Sequence, residues 1–138
     1  MLEMSRKCVP YTPVTGAINE MRIALVSSTG IYLDGQEPYQ EHNDDTYRVI
    51  PGEVDLATAQ IKHGHYDSSE AQKDINCVFP MERLRELADE GVIKAVSNKH
   101  IGFKGASTDL KRQYEHLAPA IAHEIERSQA DGVILTGG

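Results

Sequence analysis

The feature that most constrains this chain is a nearly unbroken apolar run, Met21-Arg22-Ile23-Ala24-Leu25-Val26, closed abruptly by Ser27-Ser28-Thr29-Gly30. A run this short and this sharply terminated has the pattern of a strand buried on both faces, which places it centrally in a parallel sheet. Such sheets are built from alternating strands and helices, and the second half of the sequence supplies them. Pro80 can take the first helical position, Met81, Leu84, Leu87 and Ala88 recur on one face, and Gly91 is placed to end the helix in the left-handed conformation. Val92-Ile93-Lys94-Ala95-Val96 reads as the next strand. After GFKGA, Ser107 or Thr108 can cap a helix whose apolar stripe is Leu110, Tyr114, Leu117, Ile121 and Ile125. Pro119 lies inside that stripe, and its missing N–H and ring predict a kink or break within 115–118. Asp131-Gly132 then turns the chain into Val133-Ile134-Leu135-Thr136, another short buried-strand pattern.

The fold class expected is therefore α/β, with a Rossmann-like parallel sheet in which 21–138 forms the N-terminal part of a single domain, and an extended arm over 1–20 marked by Pro10 and Pro13. After the first strand of that domain, residues 31–74 are polar and acidic and broken by Gly35, Pro38, Pro51, Gly52 and Gly64. That is too long for a plain loop, so short strands are expected near 47–50 and 60–62.

Composition narrows the function classes. No run approaches the roughly eighteen apolar residues of a membrane span, and the opening MLEMSRKCVP lacks the apolar core of a secretory signal. The expected compartment is the cytoplasm, where Cys8 and Cys77 stay reduced. With 14 basic against 21 acidic residues, phosphate backbones are repelled overall, so no nucleic-acid partner is expected.

Ligands of parallel sheets collect beyond the carboxyl ends of the strands. Two segments are candidates for that edge. Ser27, Ser28, Thr29 and Gly30 end the central strand and could present hydroxyls and amides to a carboxylate; a plain strand-ending turn is the alternative, and G-x-G-x-x-G is not matched. Thr136, Gly137 and Gly138 end the last strand with no covering helix after them, so one sheet face should be bare. The chain reads as incomplete at its carboxyl end, where an active-site loop would begin; a natural terminus on an edge strand is the other reading.

Three more groups stand out. Cys77, in Asp74-Ile75-Asn76-Cys77-Val78-Phe79-Pro80, precedes a helix whose dipole could favour its thiolate, although packing is the simpler role and Asp74 or Asn76 suits capping. Asp44-Asp45-Thr46-Tyr47-Arg48 sets carboxylates beside an arginine, most simply as a surface ion pair. HGHYD, with His63, His65 and Asp67, resembles the H-x-H-x-D-H zinc motif of metallo-β-lactamase-like hydrolases, but Ser68 replaces the last histidine and no second ligand cluster follows. No metal is expected.

DDTYRVIPGE (44–53), HGHYD, KDINCVFP (73–80) with LRELADEGVIKAV, and the terminal DGVILTGG, taken in this order, resemble the selenocysteine-containing subunits of the D-proline, glycine, sarcosine and betaine reductase selenoprotein B family. The resemblance runs from about Tyr11 onward. It implies that selenocysteine would follow Gly138, with Thr136, Gly137 and Gly138 as its lead-in and with Ser27–Gly30 at the same sheet edge. It further implies a reductase that opens D-proline to 5-aminovalerate during amino-acid fermentation, working as a hetero-oligomer with a subunit that carries a pyruvoyl group. There the pyruvoyl group would activate the substrate nitrogen, the selenolate would attack the α-carbon, and a dithiol would restore the reduced state. The short arm before the first strand favours the proline enzyme over a glycine, betaine or sarcosine reductase component. A zinc hydrolase using HGHYD and a non-catalytic binding module remain as readings from other classes.

Overall fold

The computed structural model describes residues 12–64 and 67–137. Strand β1 (Arg22–Ser27) is central, as its apolar run requires. It is parallel on one side to β7 (Gly132–Thr136) and on the other to β5 (Ala95–Val96) and then β6 (Lys99–Phe103). Its side chains alternate between two cores. Ile23 and Leu25 join the cluster that includes Met81, Leu84 and Phe79, whereas Ala24 and Val26 join the one built on Leu117, Ile121 and Ile125.

Two features depart from the Rossmann-like expectation, leaving a mixed α/β fold. β3 (Tyr47–Pro51) lies antiparallel on the outer side of β6, so the sheet is mixed. β2 (Ile31–Leu33) and β4 (Ala59–Ile61) form a separate antiparallel ribbon. The polar stretch after β1 therefore carries strands of its own, at 47–51 and 59–61, close to the two sites expected.

The expected helix after Pro80 is α2 (Met81–Asp89), with Met81 and Leu84 buried and Leu87 and Ala88 packed on the same core. Pro80 stands one position earlier than expected, at the N-cap, a difference within the fraying of helix ends. Gly91, at φ +72°, closes the helix: its amide donates to Ala88 and that of Val92 to Leu87, the paired bonds of a Schellman cap. The strand expected over 92–96 shrinks to Ala95–Val96, because 91–94 are spent on that cap and turn.

β6 was not foreseen; its Lys, His and Gly hide the apolar pattern within KHIGF. β5 and β6 act as one interrupted strand. Ile23 pairs with Val96 and Val26 with Ile101, so β1 advances three residues while its neighbour advances five, and two residues bulge out. An open groove of about 390 Å³ lies beside this bulge and the start of β1, lined among others by Arg22, Gly52, Ser97, Asn98 and Ser128.

The last helical segment runs from α3 (Leu110–Arg112) through a π-helical turn, Gln113–Leu117, into α4 (Ala118–Arg127). The cap is Asp109, whose carboxylate accepts from Arg112 N–H at 3.0 Å, not Ser107 or Thr108. Ser107 instead accepts the Asp109 amide, and Thr108 is held by the Asn43 side chain. The break expected within 115–118 takes the form of the π turn immediately before Pro119, where the Ala118 amide reaches back five residues to Gln113. Only the second half of the apolar stripe is buried; Leu110 and Tyr114 are exposed.

α1 (Ser69–Lys73) is a short helix after the HGHYD segment. In the expected arm, residues 1–11 lie outside the described residues, and Ile18–Glu20 forms a 3-10 turn. No helix among the described residues is long and apolar enough to cross a membrane.

Candidate functional site

β1, β6 and β7 are parallel, so their carboxyl ends meet at one edge, where the loops to the following segments leave the sheet. β1 and β7 pair in register from Ile23–Gly132 to Ser27–Thr136, and the Ser28 amide extends the ladder by donating to Thr136 C=O at 3.0 Å. Ser27, Ser28, Thr29, Thr136 and Gly137 are thus brought together. Gly138 lies outside the described residues.

Ser28 sits between two glycines at the centre of this edge. A Cβ on Gly105 would stand 2.9 Å from the Ser28 Cβ, and one on Gly137 3.5 Å from its Oγ, so the loops after β6 and β7 approach β1 closely because glycine follows each strand. Gly30, at φ +75°, lets the chain leave β1; a Cβ there would meet the Lys62 carbonyl oxygen at 2.4 Å, so only glycine fits.

A third segment closes on the same edge. Asp74 accepts the Asn76 amide and opens a 3-10 turn, Ile75–Cys77. Asn76 accepts the Glu82 amide at 3.0 Å and donates to its carboxylate at 2.7 Å. The first turn of α2 is therefore capped by Asn76, as its residue type allowed. Cys77 is exposed and makes no such bond to the helix start. Val78, next to it, is buried, and its carbonyl accepts from Ser27 Oγ at 3.2 Å and Thr136 Oγ1 at 2.6 Å.

Above the edge passes the connection from β2 to β3. Lys104, directly after β6, is 1% exposed, and its ammonium donates to the carbonyls of Gln40 and Glu41. The Tyr39 hydroxyl shares its single proton between Gly102 C=O at 2.7 Å and Ile31 C=O at 3.0 Å, and burial pushes its phenol well above the usual range. Asp44 is buried and accepts from the Gln40 and Thr46 amides and the Thr46 hydroxyl. Burial alone would raise its carboxyl, but these hydrogen bonds outweigh it and hold the group below its ordinary value. A small concavity of about 150 Å³ lies between this connection and the loop after Gly105, lined by His42, Asn43, Ala106, Ser107 and Thr108.

Arg48 does not pair with Asp44. It lies 4.5 Å over the Tyr39 ring and donates to Glu37 C=O, while Asp45 pairs with Arg112. In HGHYD, His65 lies outside the described residues; Asp67 is exposed and accepts the Ser69 amide, which lowers its carboxyl. Among the described residues no cluster of three His, Cys, Asp or Glu side chains is arranged to hold a metal. Lys104 and Tyr39 were not singled out by sequence reasoning. The only signal for Lys104 is its place in GFKGA, between the last residue of β6 and Gly105.

The model of the glycine/sarcosine/betaine reductase selenoprotein B family matches residues 2–138. The D-proline reductase subunit gamma of Acetoanaerobium sticklandii is 38% identical over 128 residues, covering 93% of this chain and 53% of the relative. The glycine reductase complex component B subunit gamma of Symbiobacterium thermophilum is 32% identical, covering 93% of this chain and 31% of the relative. The sarcosine reductase complex component B subunit beta of Peptoclostridium acidaminophilum is 28% identical, with shares of 93% and 30%. The chain thus spans about half the length of the first of these relatives and about a third of the others. No solved structure matches it.

Proposed function

We propose, from the premise that this chain belongs to the glycine/sarcosine/betaine reductase selenoprotein B family, that it forms part of the substrate-reducing subunit of an amino-acid reductase complex and that the substrate is D-proline. The observation that carries the choice is the 38% identity to a D-proline reductase subunit, against 32% and 28% for the glycine and sarcosine relatives. In this reading Thr136 and Gly137 lead into a selenocysteine, and the Ser27–Gly30 turn borders the space the substrate enters. A selenol is more acidic than a thiol and is ionised at neutral pH, so a rigid mount matters more to it than a neighbouring base. The in-register pairing of β1 and β7 supports such a mount.

When bound, a pyruvoyl group on a partner subunit supplies the electrophile that makes the substrate nitrogen a better leaving group, and a dithiol supplies the reducing equivalents. This chain's contribution is to hold the strand ends and to present Ser28 and the backbone around Gly105 and Gly137. Cys77 has no redox role in this reading. The complex acts in the cytoplasm on a small free amino acid.

The test is turnover by the full-length protein assembled with its pyruvoyl subunit. Dithiol-dependent formation of 5-aminovalerate from D-proline is expected. Turnover of glycine, sarcosine or betaine with none of D-proline would assign it to component B of those reductases instead.

A further inference from the structure

The strands at the candidate edge are held by unequal means. β1 is enclosed on both faces, but β7 is only partly covered: Val133 and Ile134 are 42 and 41% exposed and Leu135, next to its end, 77%, so apolar packing secures the end of this strand least. Its end is held by polar contacts instead. The Thr136 carbonyl accepts from the Ser28 amide at 3.0 Å and more weakly from the Ser28 hydroxyl at 3.4 Å, while its own hydroxyl donates to Val78 C=O at 2.6 Å. Ser27 Oγ donates to the same carbonyl and lies 2.8 Å from Thr29 Oγ1. A carbonyl oxygen offers two lone pairs and a hydroxyl one proton. Val78 C=O is therefore fully used, and Ser27, having given its proton to it, accepts from Thr29. The chain of bonds runs Thr29 to Ser27 to Val78, with Thr136 arriving from the other side.

We propose that Thr136 is a positioning residue: its hydroxyl pins the end of β7 to the turn carrying Cys77 and Val78, and so sets where the residues after Gly137 stand relative to the Ser27–Gly30 turn. This rests on the reading that the reductase nucleophile follows this strand. Ser27 supports the same carbonyl from the β1 side. The arrangement uses a buried acceptor shared by two strands, which fixes their relative placement more tightly than a contact to either alone.

The test uses the full-length protein in its assembled complex. Thr136→Val keeps the shape and strand preference but removes the hydroxyl; kcat for D-proline is expected to fall about 10- to 100-fold with KM within about twofold, the signature of a displaced reacting group. Thr136→Ser restores the donor and is expected to recover most of kcat. Hydrogen exchange should rise together at 75–79 and 133–137 in Thr136→Val and return in Thr136→Ser. Ser27→Ala, with a smaller loss of the same kind, serves if Thr136→Val does not fold. Wild-type kcat in Thr136→Val, a loss carried by KM, failure of the serine to rescue, or unchanged exchange at 75–79 would each overturn the proposal. If the wild-type complex reduces no D-proline, the functional reading falls, and the exchange measurements alone decide whether the pin exists.

Discussion

The imidazole of His100 is inserted between the backbone of Leu25 and that of Ser97: Nδ1 accepts the Leu25 amide at 2.8 Å and Nε2 lies 2.9 Å from the Ser97 carbonyl. These are the two groups that a regular parallel ladder would join directly. The bulge at 97–98 separates them, and the side chain closes the gap. Because Nδ1 must accept, Nε2 carries the proton and donates to Ser97. The ring is completely buried, and burial lowers its pKa from 6.5 to about 4.

The first prediction follows from that shift. A histidine held neutral in the folded state gains its proton more readily when unfolded, so the unfolded chain binds more protons below pH 6.5. Stability should be at its full value above pH 6.5 and decline as pH falls from 6.5 toward about 4, by a total on the order of 3 kcal/mol. Urea unfolding at pH 7.5, 6 and 5 measures the slope. His100→Leu should flatten it and, by orphaning the Leu25 amide and Ser97 carbonyl, cost roughly 1–3 kcal/mol at pH 7.5. An unchanged slope in the variant would show that another group titrates.

Gly102 is required by a close approach, not by its own dihedral angles. A Cβ at this position would stand 2.2 Å from the Ile31 carbonyl oxygen, a backbone atom that cannot swing away. Gly102→Ala should therefore separate β2 from β6 and lower stability by about 1–3 kcal/mol or more. Tyr39→Phe, which removes the donor to both Ile31 and Gly102, should destabilise in the same range, and thermal unfolding compares the two.

Lys104 is a buried strut between β6 and the connection over it. Lys104→Met keeps much of the stem but leaves the Gln40 and Glu41 carbonyls without their donor. Hydrogen exchange over 39–46 should accelerate at least tenfold while the strands of the main sheet stay protected. Uniform acceleration across the chain would mean that the residue serves global folding rather than this segment.

The exposed side chains of β7 predict association of the 138-residue chain with itself. Leu135→Glu places a charge on the most exposed of them and should lower the concentration-dependent mass seen by sedimentation, with stability changed by no more than about 0.5 kcal/mol. A chain that is monomeric at high concentration without the substitution would contradict this.

Elements whose cause is local were readable in the sequence. The apolar run 21–26 announced a central strand, the Met81, Leu84, Leu87 and Ala88 spacing with Gly91 announced α2 and its cap, and Pro119 announced the interruption that became a π turn. The motifs that carry family membership were legible for the same reason: they are contiguous residues in a fixed order. Only tertiary structure decided the rest. A short strand with Lys99, His100 and Gly102 in it has no periodic signal of its own, because His100 is there to bridge a bulge and Gly102 to admit another strand's backbone. The antiparallel placement of β3, the burial of Tyr39 and Lys104, and the meeting of Thr136 with Val78 all join residues distant in the chain. Periodicity reports which face of an element is apolar, but not which distant carbonyl will need a donor, and that need arises only once the strands are side by side.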